Sequence, residues 1–127
     1  MQEAMTPEGM EDRLVDFAVR VGRVAEALPR TYLGRHVARQ LVRSATSAAP
    51  NYAEGCVAES PRDFVHKLSL SLKELRETKV WLRIITKSRL LAASRLASVE
   101  DEVDQLCAIL ASSIKTVRQK AERRNDQ

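Results

Sequence analysis

Arg35, Arg39 and Arg43 recur every fourth residue, and Lys73, Arg76, Arg83 and Lys87 follow one another at intervals of three, seven and four. On a helix each set forms one stripe, because residues three or four apart share a face. Guanidinium groups offer a planar fork of donors that matches phosphate oxygens, so two such stripes suit the backbone of a nucleic acid, RNA or DNA. Arg118 opens a further basic run ending at Arg124. No aromatic side chains interleave with the stripes, which argues against stacking on unpaired bases. The same stripes also fit ordinary solvated helix faces, partly neutralised by Glu74, Glu77 or neighbouring subunits.

Other chemistry finds no footing. The chain has no glycine-rich phosphate loop, no HExxH, no GxSxG and no paired-cysteine zinc spacing. His36 and His66 fall on polar faces of different helices without a partner motif, and no Glu-x-x-His pattern of a di-iron bundle occurs. Ser44, Ser47 and Ser69 lack a recognisable activating base. The expectation is a non-catalytic protein with no cofactor and no metal.

Composition is consistent with that. The 127 residues are 44% hydrophobic and 30% charged, enough for one domain with a real core and unlike a disordered chain. The net charge of +4 is mild, but it is unevenly placed. Residues 1–29 carry −3, 30–59 carry +2, 60–92 carry +5, and 93–127 are neutral. Cys56 and Cys107 each fall on or beside an apolar stripe and read as small buried hydrophobes. No apolar run approaches the roughly 18 residues of a membrane span. Met1-Gln2-Glu3-Ala4-Met5 does not resemble a secretion leader, so the expected compartment is the cytoplasm, with no membrane partner.

The elements that must hold these side chains are helices. Thr6-Pro7 opens the first, over about 7–28, with Met10, Leu14, Phe17, Val21, Val24 and Leu28 on one face. The second, about 32–58, turns Val37, Leu41, Val42, Ala45, Ala48, Ala49, Tyr52 and Ala53 inward, with a kink expected near Pro50. Ser60-Pro61 starts the third, about 61–87, with Asp63 placed to reach back as a capping box. The fourth, about 95–122, has the cleanest heptad spacing, and Ser94 and Ser98 are its alternative caps. No stretch alternates with period two, so no strands are expected. The fold class is all-α, an antiparallel up-down-up-down four-helix bundle spanning 1–127 as a single domain.

Leu70, Trp81 and Ile84 form an apolar strip offset from the third helix's core face, with Glu74 and Glu77 along it. A helix apolar on two sides contacts two things, so these five residues are candidates for a subunit interface, with a wide core as the alternative.

Three blocks carry a family resemblance: RSATSAAPNYAEG at 43–55, AESPRDFVHKLS at 58–69 and LKELRETKVWLR at 72–83. They resemble the bacterial four-helix-bundle proteins that include the protein encoded by intervening sequences in 23S ribosomal RNA genes, with a similar layout over about 10–120. A more distant likeness is to the accessory variability determinant of diversity-generating retroelements. The resemblance implies a homopentamer around a central channel. It also raises two partner classes, RNA or DNA on the basic faces and, alternatively, a protein partner for which the bundle is a scaffold. Ser47, Pro50, Asn51, Glu54 and Gly55 belong to the first block. Asn51 and Glu54 are placed to satisfy groups freed at the kink or to meet another subunit, and Gly55 to let the last turn unwind toward Ser60. A Gly-Tyr-type turn usual in the family is replaced around 88–98 by Ser, Ala, Arg and Leu, which leaves the start of the fourth helix open.

Overall fold

Three helices begin on hydroxyl caps. Thr6 Oγ1 accepts from Gly9 N at 3.0 Å, Thr31 Oγ1 from Gly34 N at 3.1 Å, and Ser60 Oγ from Asp63 N at 3.1 Å. Each supplies an acceptor to an amide that has no intrahelical partner, and Pro7 and Pro61 stand where no donor is needed. The structure, a computed structural model, describes residues 6–126. Residues 1–5, which bear the sequence argument about a leader, and residue 127 lie outside the described residues. The helices are α1 (Pro7–Ala27), α2 (Tyr32–Cys56), α3 (Pro61–Lys87) and α4 (Ala97–Asn125), with no strand among the described residues.

The fourth helix departs most from expectation. A 3₁₀ turn, Ala93–Arg95, ends on the first residue expected for the helix, and neither serine caps α4, which starts after Leu96 with no side-chain cap. Leu96 is fully buried, and burying it sets the start. Ser98 instead accepts from Arg20 Nη2 at 2.6 Å, tying α4 to α1.

Upstream, α3 ends in a Schellman motif: Leu90 N donates to Ile85 O at 3.1 Å and Arg89 N to Thr86 O at 3.2 Å. Arg89 therefore sits at φ 57°, left-handed backbone that glycine adopts without a Cβ penalty. Arg89→Gly is expected to stabilise the bundle by about 0.5–1 kcal/mol, read as a higher urea midpoint. A lower midpoint would mean the arginine side chain contributes more than its backbone conformation costs.

Neighbouring helices run antiparallel. His36 meets Trp81 while Glu54 meets Lys67 on α2 and α3, and Arg13 meets Glu102 and Gln105 while Arg20 meets Ser98 on α1 and α4. One core runs through all four helices, with Phe17, Leu41, Leu75, Leu82 and Leu106 fully buried. α2 and α3 approach closely because Ala45 and Ala48 carry almost no side chain. Two buried hydroxyl contacts fix that seam: Ser44 Oγ to Thr78 Oγ1 at 2.8 Å, and Ser71 Oγ donating to Ala48 O at 2.8 Å. At Gly55 a methyl would stand 2.8 Å from Leu68 Cδ1, so this position serves close helix approach.

α2 runs unbroken through Pro50, which leaves the Thr46 carbonyl without its i+4 donor at an exposed position. Asn51 Nδ2 donates to Ser47 O at 2.9 Å and Ser47 Oγ to Arg43 O at 2.7 Å, so both side chains bond carbonyls in the turns around the proline. Glu54 turns the other way, to Lys67 Nζ at 2.8 Å. Two inward expectations fail. Val42 is exposed because α2 buries a narrower arc centred on Leu41 and Ala45, and Cys56 is exposed as the last residue of α2.

Gly34 is held by the turn before it. A methyl there would overlap the Pro29 carbonyl oxygen and stand 3.1 Å from Thr31 Oγ1. Alanine is the better helix former by about 1 kcal/mol, yet a clash with fixed backbone outweighs that. Gly34→Ala is expected to destabilise by about 1–3 kcal/mol, measured by urea unfolding. Unchanged stability would show that the turn opens at no cost.

Candidate functional site

The two basic stripes do not share a surface. Arg35 and Arg39 are exposed and border dips that α2 shares with α1. Lys73 and Arg76 are exposed on the side of α3 that faces α4, where Arg118 joins them. The groove they line holds about 380 Å³, with Leu72 and Ile114 as its apolar floor and Ser69 at its edge. Three cations from two helices thus converge on one site. Among the described residues none of them is in an ion pair with a carboxylate, and no aromatic side chain lines the groove. Cys107 is partly buried near Arg76; burial pushes its thiol up, against the opposing pull of Arg76 and Lys79, so it stays protonated and offers no nucleophile at neutral pH.

Arg43 leaves the stripe reading. Its guanidinium pairs with Glu74 Oε2 at 3.3 Å and with Glu77, and its Nε donates to Gln40 at 3.0 Å. Glu77 also accepts from Trp81 Nε1 at 3.0 Å, and the Trp81 ring meets His36 edge-on at 5.8 Å between centroids. Glu74, Glu77 and Trp81 therefore make their contacts across to α2 of the same chain. Trp81 and Ile84 pack against the core, while Leu70 is half-buried. Arg83 and Lys87 remain exposed around a shallow dip with Val80, Ile84 and Ser88. The sequence missed the exposed apolar positions Val15, Val19 and Val80; their spacing with charged neighbours was the available signal.

The arrangement can capture a phosphate-bearing ligand by charge and hold it over an apolar floor. Among the described residues no cluster of His, Cys, Asp and Glu could hold a metal ion, and no helix is long and apolar enough to cross a membrane.

The model of the 23S rRNA-intervening sequence protein family matches residues 11–112. This chain belongs to that family. A crystal structure of a protein of unknown function from the S23 ribosomal protein family of Bacteroides thetaiotaomicron is similar to it, with a TM-score of 0.78 and 29% identity over 84% of this chain and 98% of that one. No curated protein matches. The family match spans the groove residues Lys73 and Arg76, whereas Arg118 lies beyond it.

Proposed function

We propose that this chain is a non-catalytic homo-oligomer that binds the phosphate backbone of structured RNA through the groove between α3 and α4. The observation that carries the reading is the convergence of Lys73, Arg76 and Arg118 without a carboxylate partner. Buried cations would seek pairs, whereas these remain turned to solvent, available to an external anion. The absence of aromatic side chains from the groove favours backbone contact over base stacking. The family's name, drawn from 23S rRNA, makes RNA the ligand to test before DNA. One groove with three cations binds weakly. Repeating it in an oligomer, fivefold by the family resemblance, multiplies the contacts along one RNA.

The test is a salt titration of binding to a hairpin RNA. Each neutralised phosphate contributes about −0.7 to −0.9 to the slope of log K against log salt, so three contacts give roughly −2 to −3 per groove. Absence of binding at low salt, or an affinity insensitive to salt, would sink the proposal.

A further inference from the structure

The outward face of α1 carries Glu8, Asp12, Val15, Val19, Gly22 and Glu26, at alternating intervals of four and three. On α3 the same intervals recur in Ser69, Lys73, Arg76, Val80, Arg83 and Lys87, of which Ser69, Lys73 and Arg76 line the α3–α4 groove and Val80, Arg83 and Lys87 line the separate outer dip. The two stripes have equal length and opposite charge. On α1 an apolar middle, Val15 at 46% and Val19 at 49% exposure, is flanked by acids; on α3 Val80 at 49% is flanked by bases. Among the described residues none of these flanking charges is in an ion pair. Gly22 leaves the α1 face flat, with nothing within 4 Å of where a Cβ would stand.

Within one copy Glu26 borders the dips that hold Arg35, Arg39 and Arg43, whereas Glu8 and Asp12 on α1 and Arg83 and Lys87 on α3 are in no ion pair among the described residues. α1 and α3 each pack on α2 and α4 and occupy opposite corners of the bundle, so their outer faces point apart. A second copy of this chain offers the complementary charge to each face.

We propose that α1 of one copy docks antiparallel on α3 of the next, Val15 and Val19 against Val80 and Ile84, with Glu8 and Asp12 beside Arg83 and Lys87. The antiparallel sense opposes the helix dipoles and directs the paired acids away from Arg76 and Arg118. The contact is head-to-tail, since each copy offers an acidic face and accepts on a basic one, so it propagates until a ring closes. It rests on the homo-oligomer part of the proposed function and locates its interface.

The test is a charge swap on the full chain, read by light scattering. The wild type is expected at several times 14.2 kDa. The α1 variant Glu8→Lys/Asp12→Lys and the α3 variant Arg83→Glu/Lys87→Glu are each expected at the single-chain mass. Mixed in equal amounts they are expected to form multimers of strictly alternating copies, rings of even number or open chains in place of a fivefold ring, because the native α1 of one meets the native α3 of the other and the two reversed faces match. All four positions are exposed, and circular dichroism checks that both variants keep their helices. A wild type at the single-chain mass, a variant that keeps the wild-type mass, or a folded mixture that stays monomeric would overturn the interface. RNA binding is read separately by salt titration on the wild type, in which the groove residues and the native charge are both unchanged. Absence of RNA binding there, with the mass pattern intact, would reject the RNA reading alone.

Discussion

Replacing Lys73, Arg76 and Arg118 together by alanine is expected to weaken binding to structured RNA by about two orders of magnitude near 0.1 M salt. Three lost phosphate contacts remove about 2–3 from the salt slope, which at that concentration corresponds to roughly a hundred-fold. Folding should be little affected, because all three side chains are exposed and outside any ion pair among the described residues; substitutions of that kind fall within about 0.5 kcal/mol. The informative control is Arg35→Ala/Arg39→Ala on the opposite flank. It removes two charges without touching the groove, so its effect should be much the smaller. Equal losses in the two variants would show that total charge, rather than the α3–α4 groove, governs binding.

Phe17→Ala is expected to have the largest effect on stability. Phe17 is the largest of the fully buried side chains, contributed by α1 to the core shared by all four helices. Truncating it removes the transfer free energy of the ring and leaves a cavity, together about 3–5 kcal/mol. For a chain of this size that lowers the thermal midpoint by roughly 10–20 °C. Val15→Ala, two residues earlier on the exposed face, should be nearly silent in the monomer. Urea unfolding with an unchanged slope would attribute the loss to the folded state. A cost under 1 kcal/mol would mean that the core closes around the missing ring.

Much of the fold was legible because helical periodicity is local. Met10, Leu14, Phe17 and Val21 mark their own buried face by spacing alone, and Thr6-Pro7 and Ser60-Pro61 mark where α1 and α3 begin. Legibility failed where a boundary depended on distant contacts. Ser94 and Ser98 were both chemically able to cap α4, but the burial of Leu96 decided the start and Arg20 engaged Ser98. Val42 and Cys56 looked inward on a helical projection; the width of the α2 contact and the end of that helix left them exposed.

The candidate site divides the same way. Sequence spacing by itself determined that Lys73, Arg76, Arg83 and Lys87 lie along one stripe, and that a four-helix chain carries its positive surplus on the middle two helices. Only the tertiary structure decided that Arg43 is drawn into ion pairs with Glu74 and Glu77, that Arg35 and Arg39 border dips shared with α1 and lie outside the α3–α4 groove, and that Arg118, more than forty residues downstream of Lys73, completes the groove. The physical reason is range. Which face a residue occupies on its helix follows from a few neighbouring positions, whereas which charges meet depends on how helices far apart in the chain pack against one another, and that packing is set by the shared apolar core rather than by the charges themselves.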